Sequence, residues 1–266
     1  MIYKLTQSLL LAVTLFAIQP SHADSNDGFL AYSQGDYAAA LKEWSTAAAQ
    51  GDALAQLGLG LMYKHGRGVI QSDRQAADWY RKAAEQGLAA AQNNLGLIYA
   101  NGEGVAQDYR LAAAWYGKAA AQGMAQAQYS LGMLYADGQG VTQDYREAAA
   151  WFDKAAEQAY APAQFELGML YAGGQGVVQN WQQALTWLHQ AAELGYTPAQ
   201  IKLGVIYENG TGVAVDLVTA RKWFGIAGVK GNADANVNRN RLESLMTPQQ
   251  IAEAKRLARA WLAQHP

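Results

Sequence analysis

Cysteine is absent from all 266 residues, which excludes disulfides, thiolate metal sites and lipid attachment to an N-terminal cysteine. Charge is sparse too, at 16% of the chain. A formal net charge of −2 offers no basic field for nucleic acid and no acidic tail for a basic partner. Beyond the N-terminus no apolar run approaches the ~20 residues needed to span a hydrocarbon core. What remains is 51% apolar and rich in alanine and glycine, enough for a sizeable buried core and too apolar for disorder.

The N-terminus carries one short apolar run. MIYK supplies a positive charge, Leu9 to Ile18 are apolar, and QPSHA ends in the small residues Ser21 and Ala23. This is the layout of a secretory signal, too short to span a membrane. Residues 1–23 are therefore expected to be cleaved. Loss of Lys4 would leave 19 basic against 22 acidic residues in a chain starting at Asp24, destined for the periplasm or the exterior, without stable membrane insertion.

The rest repeats itself with a period of 36 residues. The pair Ala-Gln recurs at 55–56, 91–92, 127–128, 163–164 and 199–200. Leu-Gly follows at 59–60, 95–96, 131–132, 167–168 and 203–204, and a tyrosine at 63, 99, 135, 171 and 207. Gln56, Leu59 and Tyr63 share one helical face. A glycine inside a helix costs roughly 1 kcal/mol relative to alanine, so its recurrence predicts close approach of another helix. Gly-x-Gly-Val then ends the helix in every copy, as at Gly102 to Val105. No Lys-Ser/Thr follows it, so it does not read as a phosphate loop.

A second helix is predicted after Ser72, Asp108, Asp144, Asn180 and Asp216, all good N-caps. Ala76, Trp79 and Ala83 share a face, and the pattern returns as far as Ala220, Trp223 and Ala227. The five tryptophans Trp79, Trp115, Trp151, Trp187 and Trp223 are thus expected in the core. Gly87, Gly123, Gly195 and Gly231 end this helix, with Ala159 the exception.

These motifs resemble the Sel-one-like repeat family, relatives of the tetratricopeptide repeat, over roughly residues 28 to 264. The resemblance implies an all-α fold: a right-handed superhelical solenoid of antiparallel helix pairs, used mainly as a protein-binding scaffold. A disulfide-rich secreted branch of that family is associated with β-lactam binding and hydrolysis, and this chain, without cysteine, departs from it. The expected organisation is a half-repeat cap at 24–54 and repeats at 55–90, 91–126, 127–162, 163–198 and 199–234. Capping helices follow at 235–266. There Thr247, Pro248 and Gln250 offer an N-cap, a first helical position and a reciprocal side chain for the last helix.

Catalytic signatures are missing. His65, His189 and His265 lie at no metal-ligand spacing, and H-E-x-x-H, G-x-S-x-G and S-x-x-K do not occur. Glu85, Glu157 and Glu193, at the ends of second helices, read as solvated carboxylates. Neither a catalytic residue nor a cofactor is assigned. Trp181, outside the core register, is an exposed contact candidate for a glycan. Arg239, Arg241, Lys255, Arg256 and Arg259 form a C-terminal basic cluster.

One face of the first helix stops agreeing between copies. Where the first copy has Leu57, Lys64 and His65, the others have Asn93, Tyr129, Phe165 and Ile201; then Ala100, Ala136, Ala172 and Glu208; then Asn101, Asp137, Gly173 and Asn209. In solenoids such a face lines the concave side. The candidate groove is Leu57, Asn93, Asn101, Tyr129, Met133, Asp137, Phe165, Met169, Ile201 and Asn209, with Tyr129 and Phe165 adjacent and the methionines beside them as adaptable apolar contacts. The expected partner is a protein or peptide, bound by a monomer. The alternatives are an envelope hydrolase or β-lactam-binding enzyme, and a glycan-binding module.

Overall fold

The computed structural model describes residues 22–265, so the expected signal segment lies almost wholly outside the described residues. These form fourteen helices and no strand. A helical pair, α1 (His22–Ser33) and α2 (Tyr37–Ala49), is followed by α3 (Ala53–His65) and α4 (Asp73–Glu85), then α5 (Ala89–Asn101) and α6 (Tyr109–Ala121). The series continues with α7 (Ala125–Asp137) and α8 (Tyr145–Ala156), α9 (Ala161–Gly173) and α10 (Trp181–Glu193), α11 (Thr197–Asn209) and α12 (Leu217–Val229). It closes with α13 (Ala233–Glu243) and α14 (Pro248–Gln264). Each helix packs chiefly on the one before it and the one after it, the pattern of a solenoid.

The local chemistry of each pair is the same. The side chains of Ser72, Asp108, Asp144, Asn180 and Asp216 each accept from backbone N–H groups at the start of the following helix. Their own N–H groups donate to the carbonyls of Tyr63, Tyr99, Tyr135, Tyr171 and Tyr207 at 2.8–2.9 Å, tying each second helix to the end of the first. Between them, Gly66, Gly102, Gly138, Gly174 and Gly210 cap the first helix in the left-handed conformation. The second glycine of each turn is also left-handed and sits against the preceding repeat. A Cβ on Gly140 would lie 2.2 Å from the backbone carbonyl carbon of Tyr109. At the end of α8 the same backbone turn is made without glycine: Ala159 has φ 58°, the one positive-φ non-glycine among the described residues.

The glycine inside the first helix marks a close approach, as its recurrence predicts. A Cβ on Gly96 would fall 2.7 Å from the ring of Tyr116, and one on Gly132 2.6 Å from the ring of Phe152. The side chain that enters the notch is not the recurring tryptophan, however. It is the residue after it: Tyr80, Tyr116, Phe152, Leu188 and Phe224, all buried, with Trp44 in the same place at the N-terminal end. The tryptophans stand one residue, or about 100° of helix, to the side. Trp79, Trp115, Trp151 and Trp187 are half-buried, and Trp223 alone of the five is fully buried. The core reading of the tryptophans is corrected accordingly.

At the C-terminal end α12 is covered by α13 and α14. Thr247 and Gln250 form a reciprocal capping box with Pro248 in the first turn. Trp261 of α14 meets Trp223 edge-on, with ring centroids 6.2 Å apart.

Candidate partner-binding surface

The first helices are apolar nearly all round, because each lies between the second helix of the repeat before it and its own. Leu57 is therefore buried among Tyr80, Leu95 and Ile98. Asn93, in the same column, is 2% exposed with Oδ1 unpartnered. Neither side chain is presented to solvent. This corrects their placement in the groove: the helix has two buried sides rather than one, which a two-faced reading of its periodicity misses.

The remaining candidates fall into two groups. Asn101, Asp137 and Asn209 are exposed at the ends of their helices, while Tyr129, Met133, Phe165, Met169 and Ile201 are half-buried. Tyr129 lies against Phe152 (5.8 Å between centroids) and Tyr160 (5.5 Å), and Phe165 lies against Tyr196 (5.6 Å, edge-on). Each ring is thus paired with the tyrosine that begins the next first helix. Burial pushes the Tyr129 hydroxyl up to about 12, so it is a neutral donor at any ordinary pH.

Met133 and Tyr129 pack on the cluster of Phe152, Leu167 and Leu170, so this aromatic and methionine surface runs across the third and fourth repeats. Glu166 joins it. The equivalent residues Asn94 and Ser130 stand by the hydroxyls of Tyr80 and Tyr116 and partly offset the effect of burial on them. Across from Glu166 that position is Phe152, which has no hydroxyl. Burial, and then the charge of Asp137, raise the Glu166 carboxyl above the ordinary range. Sequence reasoning missed Glu166, Tyr160 and Tyr196. Column-by-column comparison would have flagged Glu166, as the one acid among Gly58, Asn94, Ser130 and Lys202.

In the first repeat the corresponding surface is closed by charge. Lys64 Nζ bonds Asp73 at 3.1 Å and Glu103 at 2.5 Å, joining two repeats, while His65 stays exposed. Trp181 is half-buried and lies under the turn at Gly212, where a Cβ would meet its ring at 2.4 Å. It is not the exposed platform that a glycan site requires. The C-terminal basic cluster is largely spoken for: Arg241 pairs with Glu208, Lys255 with Glu243, and Arg256 with Glu253. Among the described residues no group of three His, Asp or Glu side chains converges as a metal site, and no helix is long and apolar enough to cross a membrane.

A model of the Sel1 repeat matches residues 53–88, 89–124, 125–160, 161–196 and 197–232. The chain belongs to the Sel1 repeat family. A Sel1 repeat protein from Oxalobacter formigenes is 32% identical, with a TM-score of 0.78 over 90% of this chain and 95% of that one. The protective antigen c5321 of uropathogenic Escherichia coli, described as displaying this fold, is 30% identical over 90% of this chain and 68% of that one, with a TM-score of 0.44. No curated protein matches the chain. Sel1 repeat proteins are in general scaffolds for protein–protein interaction.

Proposed function

We propose that this Sel1 repeat protein is an exported adaptor that binds a protein or peptide along the face of its first helices, at the third and fourth repeats. The observation that carries the reading is the composition of that face: half-buried Tyr129, Met133, Phe165 and Met169 beside exposed Asp137. Large rings offer contact area at little cost in side-chain entropy, and methionine adapts its shape. The other faces of the solenoid recur from copy to copy because they hold helices together, whereas this one varies. Export rests on the N-terminal layout of a charge, an apolar run and small residues. It would place the protein among envelope or extracellular partners. The absence of catalytic motifs favours a binding role over a hydrolase.

The test is capture of a partner by the purified protein from envelope extracts of its source, side by side with Asp137→Lys combined with Tyr129→Ala. Circular dichroism and melting establish that the variant is folded, and Lys42→Glu, on an exposed site of α2, serves as the control. A partner held by wild type and control but lost from the double variant is the expected result. Equal capture by all three would move the site to another face.

A further inference from the structure

The first three repeats share a device that the fourth lacks. Trp79, Trp115 and Trp151 each carry over their ring the ammonium of the lysine three residues on: Lys82, Lys118 and Lys154 lie 3.8, 3.9 and 3.9 Å from the ring. The fourth repeat keeps the tryptophan, as Trp187, but has Gln190 where the lysine would be. Its aromatic face has lost its cation.

A second column changes at the same place. The buried amides of Gln56, Gln92 and Gln128 accept from Gln86, Gln122 and Gln158, each at 2.8 Å. Gln164 occupies the equivalent position and is 4% exposed, but the donor's place is taken by Leu194, which cannot donate. Gln164 Nε2 donates to the carbonyl of Ala156 at 3.1 Å, which fixes the amide's orientation, and Oε1 is left without a partner.

Both departures border one cavity of about 750 Å³, walled by Trp187, Gln190, Gln164, Glu157, Glu193 and His265. The C-terminal helix holds one wall in place: Trp261 donates its indole N–H to Glu193 at 2.5 Å, and His265 stacks on Trp261 with centroids 4.0 Å apart. Lys222 of the next repeat is engaged over Trp223, 4.1 Å away, and so does not stand in for the missing lysine. An indole face without its lysine and two carboxylates beside it together suit an alkylammonium cation.

We propose that this cavity binds an alkylammonium group, carried by a free aliphatic amine or by a lysine side chain of another protein. In three repeats the chain supplies that ammonium itself, and in the fourth it leaves the position to a ligand. The site is independent of the groove on the first helices, so either can fail without the other.

Titration calorimetry of the whole protein with cadaverine, with Nα-acetyl-lysine methylamide, and with the uncharged diol of cadaverine's length tests this. At least one amine is expected to bind saturably with one site per chain, and the diol not at all. Cadaverine alone would identify a small-molecule ligand; binding of the lysine derivative as well would identify a protein side chain. Gln190→Lys restores the arrangement of the first three repeats and should weaken amine binding at least ~10-fold with the melting temperature retained. Trp187→Leu provides the same readout should that variant not fold. No saturable binding of either amine, or binding unchanged in the folded variants, would overturn the proposal.

Discussion

A single methyl group is unfavourable at two positions, one where the chain omits it and one where the chain carries it. At Gly140 a side chain would enter left-handed backbone (φ 70°) and meet the backbone of Tyr109 and Arg110, which cannot swing aside. Gly140→Ala is expected to cost about 2–4 kcal/mol, read as a lower urea midpoint at unchanged slope. Ala159 is the mirror case, an alanine in the same backbone region, where the other second helices end in glycine. Ala159→Gly should therefore gain roughly 0.5–1 kcal/mol in the same assay, strain relief exceeding the added entropy of the unfolded chain. The glycine notches and N-caps were readable from the chain because each repeats with one chemical purpose. Which of two adjacent aromatics fills the notch was not. Trp79 and Tyr80 lie side by side on the helix, and hydrophobicity cannot choose between them. The burial of Trp44, one period before Tyr80, shows which column is the core.

Among elements, the join between α12 and α13 depends on a buried charge. Arg221 is 4% exposed, and its guanidinium bonds the carboxylate of Glu243 through Nε at 3.0 Å and through Nη2. That pairing holds the Glu243 carboxyl below the ordinary glutamate range. A depressed carboxylate contributes stability above its unfolded-state value, and the contribution disappears as pH falls through the depressed value. Glu243→Gln should cost about 2 kcal/mol at neutral pH, leaving Arg221 buried without its counter-charge; the partial exposure of Glu243 keeps this below the figure for a fully buried pair. Denaturant curves of the two proteins should converge on acidification, and a constant gap at all pH values would show that the loss is not electrostatic. The last helix was legible from Thr247, Pro248 and Gln250. The join was not, because an arginine 22 residues from its partner leaves no periodic trace.

Among the described residues contacts run chiefly between helices of the same or adjoining repeats, so damage at one end should stay local. Removing residues 247–266 strips Trp261 and Ala258 from the cluster that contains Trp223 and Ile226. Hydrogen exchange is expected to accelerate in α11 and α12 while α3 to α6 keep their protection. Uniform acceleration would mean that the array unfolds as one cooperative block. The period of 36 made the architecture plain from sequence alone. The candidate surface was only half legible: variation among copies pointed to Tyr129, Asp137 and Phe165, whose side chains are half-buried or exposed, whereas the burial of Leu57 and Asn93 follows from the stacking of whole repeats.

The turn glycines have a mechanical consequence. Gly104, Gly140 and Gly176 each seat directly on the backbone that starts the previous second helix, with no side chain between to compress. Along that line the distance between repeats is fixed by backbone contact, much as the knuckles of a hinge are held by their pin. Elsewhere neighbouring repeats meet through half-buried rings, methionines and long amides, which deform more readily. A partner that flexes the solenoid would pivot it about the glycine line. The lever arms would then be the helices, and the widest travel would fall on the surfaces farthest from the turns.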